Sequence, residues 1–177
     1  ECGLPANALN VVNGPLAEIA PLLVGHECVE MVTFTGSSNV GRQIAARAGY
    51  KRIVLELGGS SPLLVLADAD VDEAVDIAMA GIFKNSGQRC TAIRRLLIHR
   101  SLADRFADAL AARTEQLVCG DPYDPTTDMG TVIDADAARS MEERVEDAVN
   151  RGGRVLTGHR RDGALYSPTV VDRVTND

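Results

Sequence analysis

Glu30-Met31-Val32-Thr33-Phe34-Thr35-Gly36-Ser37 and, a short way on, Arg52-Ile53-Val54-Leu55-Glu56-Leu57-Gly58-Gly59 frame the stretch whose pattern decides the fold class. Each block is a short run rich in β-branched and apolar residues that ends on glycine, which predicts two strands. Between them Val40, Ile44 and Ala48 recur on one helical face up to Gly49, so a helix joins the strands. A strand, a crossover helix and a second strand form a βαβ unit, and that unit implies a parallel sheet.

The same alternation extends outward on both sides. Upstream, Leu16, Ile19, Ala20 and Leu23 stand at helical spacing, with Pro15 at the first turn and Gly25 at the close. Downstream, Pro62-Leu63-Leu64-Val65-Leu66 predicts a third strand. Asp68 or Asp70 then caps a helix carrying Val71, Val75, Ala78, Met79 and Ile82, which ends near Asn85-Ser86-Gly87. Cys90 falls on the loop past that helix, before a strand over Arg95-Leu96-Leu97-Ile98-His99. A helix over Leu102–Leu117, a turn-rich loop from Gly120 to Gly130, a helix over Ala135–Asn150 and strands near Val155 and Val170 complete an α/β chain of parallel βαβ units. A boundary at Gly58-Gly59 divides it into residues 1–58 and 59–177.

Composition narrows the function. With 177 residues, 45% of them hydrophobic, the chain is able to bury a core. A net charge of −7 argues against a sequence-independent grip on phosphate backbones, so nucleic acid is not an expected partner. No apolar run is long enough to cross a bilayer and no signal peptide is evident, which together predict a cytoplasmic protein. Cys2, Cys28, Cys90 and Cys119 are widely spaced, and with three histidines they predict neither a metal site nor a disulfide framework. The chain opens in a loop-like stretch and closes directly after a strand, and so reads as an excerpt of a longer polypeptide.

Two residues stand out as chemistry. Cys90 in Gly87-Gln88-Arg89-Cys90-Thr91-Ala92 has a cation beside it, which favours a thiolate, and a glycine nearby that lets a substrate approach. The alternative is a small buried apolar cysteine, the reading given to Cys2, Cys28 and Cys119. Glu56 ends an apolar strand against two glycines; a desolvated carboxylate there serves as a general base, whereas one turned outward at an edge is only solvated. His26, His99 and His159 lie in settings better suited to solvated surface histidines than to a base for Cys90. Gly36-Ser37-Ser38-Asn39-Val40-Gly41 offers backbone N–H groups at a helix start to a phosphate, or is simply a Ser-capped helix, since it lacks the usual dinucleotide glycine fingerprint.

Phe34-Thr35-Gly36-Ser37, Glu56-Leu57-Gly58-Gly59 and Gly87-Gln88-Arg89-Cys90, in that order, together with Gly120-Asp121-Pro122 and Pro168-Thr169-Val170, resemble the aldehyde dehydrogenase superfamily from end to end. The resemblance implies the end of a Rossmann-like cofactor domain over 1–58, followed by part of an α/β catalytic domain over 59–177. It implies Cys90 as the nucleophile that forms a thiohemiacetal and then a thioester, with Glu56 activating the hydrolytic water. It also implies NAD or NADP, NAD favoured, held by Gly36, Ser37, Val40, Gly41 and the backbone at Leu57. A homo-oligomer is implied for the full-length parent. Members are longer than this chain, so the excerpt alone is expected to have little activity.

Arg89 departs from the neutral residue found before the cysteine in many members, and a cation there suits an anionic aldehyde; an ion-pair or packing role is the alternative. Asn85-Ser86-Gly87-Gln88-Arg89-Cys90-Thr91-Ala92, Gly130-Thr131-Val132-Ile133-Asp134 and Arg160-Arg161-Asp162-Gly163-Ala164-Leu165-Tyr166 are most similar to phosphonoacetaldehyde dehydrogenases. Non-phosphorylating glyceraldehyde-3-phosphate dehydrogenases share the Gln-Arg-Cys-Thr-Ala part. Oxidation of phosphonoacetaldehyde to phosphonoacetate is therefore the leading expectation. A general or semialdehyde dehydrogenase, or a non-catalytic nucleotide-binding module with an inert Cys90, are the alternatives.

Overall fold

The computed structural model describes residues 3–175, and in it the chain divides into two compact units at Gly58/Gly59. In the first unit, helix α1 spans Leu16–Gly25, strand β1 Met31–Gly36, helix α2 Ser38–Ala48 and strand β2 Arg52–Leu57. β1 and β2 pair in parallel from Met31↔Arg52 to Gly36↔Leu57, with α2 as the crossover. α2 starts where Ser37 Oγ accepts the Val40 N–H at 3.2 Å, and ends at Gly49 with φ 63°.

Its apolar stripe of Val40, Ile44 and Ala48 packs with Val24 of α1 and with Val32, Phe34 and Leu55 of the strands. Pro21 lies inside α1, and the carbonyls of its last turns find donors elsewhere. Arg47 Nε bonds the Pro21 carbonyl at 3.2 Å and Lys51 Nζ the Gly25 carbonyl at 3.3 Å, where cations also suit the helix dipole.

In the second unit β3 spans Ser61–Val65, α3 Val71–Ile82, β4 Ile93–Ile98 and α4 Ala103–Thr114. β3 and β4 pair in parallel, with an irregularity at Ser61/Pro62, a position suited to the proline's missing donor. Asp70 is the cap of α3; its Oδ1 accepts the N–H groups of Asp72 and Glu73 at 2.9 and 3.0 Å. Alternation along the strands sends Leu63, Val65, Leu96 and Ile98 toward the helices, where they meet Val71, Val75, Ala78, Phe106 and Leu110. Val75, Phe106 and Leu110 are no more than 2% exposed, so this is the centre of the core. The opposite face of the pair carries Leu64 and Leu97, both exposed.

The remainder is α5 over Ala135–Asn150, β5 over Arg154–Thr157, the two-residue strands β6 over Arg161–Asp162 and β7 over Leu165–Tyr166, and β8 over Val170–Asp172. Here the structure corrects the sequence reading. β5 pairs with β8 and β6 with β7, both antiparallel, so the last third is not a parallel βαβ continuation. The physical reason is the turn at Gly163, whose φ of 56° reverses the chain between β6 and β7 and brings β8 back alongside β5. The helix expected to run to Asn85–Gly87 also stops earlier, at Ile82, and a short 3-10 turn over Lys84–Gly87 follows.

Two substitutions test this account by denaturant unfolding. Leu110→Ala removes a buried side chain between α3 and α4 and is expected to cost about 2–5 kcal/mol. Asp70→Ala removes a helix cap at an exposed position and is expected to cost about 1 kcal/mol. Equal effects of the two would contradict the placement of the core.

Candidate active site

Cys90 stands in a tight turn between α3 and β4, closed by the Ala92 N–H donating to the Arg89 carbonyl at 3.1 Å. Its side chain is exposed, as a nucleophile must be to meet a substrate. The backbone of Gly59 passes close by: a Cβ there would stand 3.5 Å from the Cys90 carbonyl oxygen. Before the turn the chain takes three successive left-handed residues, Asn85 (φ 56°), Ser86 (φ 53°) and Gly87 (φ 69°). Two of them carry side chains, which the left-handed region disfavours, so the surroundings hold this backbone in place. At Gly87 any Cβ would also crowd the Ile82 carbonyl at 3.2 Å.

Several hydrogen bonds do the holding. Within the turn, the Gln88 N–H donates to the Asn85 carbonyl at 2.9 Å, and Asn85 Nδ2 donates to the Gln88 carbonyl at 3.3 Å. Farther along the chain, Ser86 Oγ donates to the Gly130 carbonyl at 2.9 Å, and the Ile133 N–H donates to Gln88 Oε1 at 2.9 Å. The sequence reading singled out both segments as motifs but gave no sign that they touch. Hydrogen bonding across more than forty residues leaves no local signature in composition or periodicity.

Arg89 precedes Cys90 in the chain. Its Nη2 donates to the carbonyls of Ala80 and Gly81, each at 3.2 Å, so the guanidinium is engaged at the C-terminal end of α3, and its Nε is buried without a partner. These contacts are those of a packing role at a helix end, the alternative that the sequence left open beside recognition of an anionic substrate. The cause is general: the last carbonyls of a helix have no partner within it and draw donors and positive charge.

The other cysteines differ in setting. Cys28 is exposed, and its N–H donates to Nδ1 of His26 at 3.2 Å. Cys119 is half-buried, and burial pushes its thiol pKa above the usual value. Cys2 lies outside the described residues. His99 is engaged with Ser101 Oγ at 2.8 Å and His159 with the Tyr166 hydroxyl at 2.8 Å, so each imidazole already has a local partner. Among the described residues no cluster of three or more His, Cys, Asp or Glu is arranged to hold a metal ion. A depression of about 570 Å³ lined by Thr114, Glu115, Cys119, Arg160 and Ser167 contains none of the site residues expected from the sequence.

In the first unit, Glu56 is exposed near the C-terminal end of β2, beside Thr35 in the register. Phe34 and Leu55, its neighbours in the two strands, face α2, so alternation puts Glu56 on the face away from that helix. Leu57 turns back toward α2 and meets Gly41, where a Cβ would come within 2.6 Å of the Leu57 side chain. Gly41 therefore lets α2 approach β2. Gly36 and Ser37 bring the chain from β1 into α2, and Val40 follows one turn later as part of the core. The first turn of α2 contains no acidic residue, and although Ser37 Oγ takes the Val40 N–H, no carboxylate on that turn opposes an anion at the positive helix end. Such a helix start is compatible with the pyrophosphate of a dinucleotide.

Known proteins resemble this chain along its whole length. The family model described as "Aldehyde dehydrogenase family" matches residues 1–177. The chain is 40% identical to a 3-sulfolactaldehyde dehydrogenase of Priestia aryabhattai over 177 residues, which is 100% of this chain and 37% of the relative. It is also 40% identical to an NADP-dependent glyceraldehyde-3-phosphate dehydrogenase of Streptococcus equinus, again over 100% of this chain and 37% of the relative. A crystal structure of a betaine aldehyde dehydrogenase double mutant from Staphylococcus aureus in complex with NAD+ superposes with a TM-score of 0.90 at 32% identity, covering 96% of this chain and 36% of that one. The chain thus spans little more than a third of the length of these proteins, yet matches them along the whole of its own, and it belongs to the aldehyde dehydrogenase family.

Proposed function

We propose that the protein carrying this chain oxidises an aldehyde to its carboxylic acid with NAD or NADP, NAD favoured, using Cys90 as nucleophile and Glu56 as general base. The observation that supports this most is the exposed Cys90 on a braced turn in a chain of this family. The reading assigns residues 1–58 to the cofactor domain and 59–177 to the catalytic domain. Gly36, Ser37, Val40, Gly41 and the backbone at Leu57 would hold the cofactor, which when bound accepts a hydride.

The chemistry of the residues then follows. The Cys90 thiolate adds to the aldehyde carbon, forming a carbon–sulfur bond and turning the carbonyl into an alkoxide. A backbone N–H such as that of Cys90 stabilises this oxyanion. Collapse of the adduct expels hydride with its electron pair and leaves a thioester on Cys90. Glu56 takes a proton from water, the water oxygen attacks the thioester carbon, and the carbon–sulfur bond breaks to release the acid and restore the thiolate.

An anion-bearing aldehyde is the substrate class we favour, with phosphonoacetaldehyde the leading case from the motif resemblance and glyceraldehyde 3-phosphate the second. Relatives named for 3-sulfolactaldehyde, glyceraldehyde 3-phosphate and aspartate semialdehyde all act on aldehydes with an acidic group. A vanillin dehydrogenase is similar at the same level, 40% identity, which keeps a general aldehyde dehydrogenase as the second reading.

Three measurements test the proposal. Cys90→Ser is expected to abolish formation of reduced cofactor. Glu56→Gln should retain a first-turnover burst while its steady rate falls by about 100-fold or more, because only deacylation needs the base. Full activity of Cys90→Ser would overturn the reading. In the second test, iodoacetamide near neutral pH should label Cys90 well before Cys119, whose raised pKa leaves less thiolate and whose labelling rises only at higher pH. Aldehyde should slow labelling of Cys90 and leave Cys28 unaffected. Equal labelling of all thiols would favour an inert nucleotide-binding module.

The third compares phosphonoacetaldehyde, glyceraldehyde 3-phosphate and an uncharged aldehyde, with NAD and with NADP, in the parent and in Arg89→Ala. Preference for an anionic aldehyde should persist in Arg89→Ala while thermal stability falls, since the arginine is engaged on α3. Loss of that preference would return Arg89 to the substrate site. Preference for the uncharged aldehyde in the parent would sink the anionic class.

A further inference from the structure

We infer that Ser86 and Gln88 are positioning residues for the Cys90 thiol, acting by tethering its turn to the Gly130–Ile133 segment. The inference rests on the reading of Cys90 as nucleophile and deepens it.

The hydrogen bonds between Asn85 and Gln88 close the turn on itself but do not tie it to the rest of the unit. Asn85 and Ser86 both occupy the left-handed region, where a residue with a side chain loses roughly 1–2 kcal/mol relative to the right-handed one. Relaxation of these residues to right-handed values would continue α3 and re-aim everything after Gly87. Two side-chain bonds oppose this from either side of Gly87: Ser86 Oγ to the Gly130 carbonyl, and Gln88 Oε1 from the Ile133 N–H, each 2.9 Å. Ser86 Oγ acts as a donor and Gln88 Oε1 as an acceptor, so the two tethers are chemically independent.

The far end of the tethers is itself fixed. Between Gly130 and Ile133, Val132 is buried against Ala138 and Tyr166, and its N–H donates to the Ala164 carbonyl at 3.0 Å. On one side of the segment the Met129 N–H donates to the Val118 carbonyl at 3.1 Å. On the other, Asp134 caps α5 by accepting the Ala137 N–H at 2.7 Å. The thiol turn is thus referred to the packed body of the unit as well as to the end of α3. A nucleophile displaced by about 1 Å forfeits on the order of 100-fold in rate, which is the scale on which the tethers act.

The test uses the intact protein that carries this chain. Gln88→Met removes the acceptor at nearly constant volume, Gln88→Glu keeps the acceptor and gives up only the long Nε2 donation to the Asn85 carbonyl at 3.5 Å, and Ser86→Ala removes the other tether; Cys90→Ser is the control. Steady-state rates are measured for each variant at its own pH optimum, together with KM for the cofactor and the thermal midpoint. Gln88→Met and Ser86→Ala are each expected to lower kcat by about 10–100-fold while KM for the cofactor stays within about threefold. Gln88→Glu should recover most of the loss. The inference is overturned if both tether-removing variants keep the parent kcat, if Gln88→Glu is no better than Gln88→Met, or if lost activity merely follows lost folded protein. Should Gln88→Met fail to fold, Ser86→Ala decides alone. An active Cys90→Ser would instead overturn the parent reading, so the two failures are distinguishable.

Discussion

The packing of α3 and α4 over β3 and β4 is the constraint on which the second unit depends. Val71, Val75 and Ala78 on one helix and Phe106 and Leu110 on the other meet the inward residues of the two strands. Because β3 and β4 are parallel, the chain must return the length of the sheet through α3 before β4 can begin. The turn bearing Cys90 lies at the junction where that return ends, next to the C-terminal end of the helix. Its position is therefore set by the hydrophobic contact between helix and sheet, and its shape by polar contacts made afterwards. Removing water from the helix faces fixes where the thiol is; hydrogen bonds fix how the backbone presents it.

Much of this was legible in the sequence because the signals were local. β2 spans Arg52–Leu57 and α5 spans Ala135–Asn150 as the apolar period predicts, and Asp70 is one of the two caps expected for α3. The resemblance to aldehyde dehydrogenases rested on short motifs, and the family match extends over the same residues. Strand direction in the last third was not legible. A short apolar run does not reveal whether its partner lies parallel or antiparallel, and the two-residue strands β6 and β7 are too brief to show alternation.

The end of α3 and the particular carbonyls that Arg89 meets were illegible for a related reason. Nothing in Asn85-Ser86 announces left-handed backbone; asparagine tolerates it, whereas serine adopts it less readily, and here its hydroxyl meets the distant Gly130 carbonyl. Likewise, a cation beside a reactive cysteine suggests substrate recognition until the carbonyls at the end of the preceding helix are counted. Those carbonyls compete for the same donors, and Ala80 and Gly81 receive Arg89. The helix terminus accounts for the contacts that Arg89 makes.

The connection from α3 to β4 has a consequence in chain statistics. Both of its ends are pinned by the core, so the entropy of bringing them together is lost once, when the helix and strand pack, whatever sequence joins them. Substitutions within the connection then change only the small set of conformers compatible with fixed ends. Positions of the connection that make no contact with the helix end or the tethered segment can vary their chemistry while the sheet beneath keeps its stability, whereas within a strand each change is also a change to the ladder.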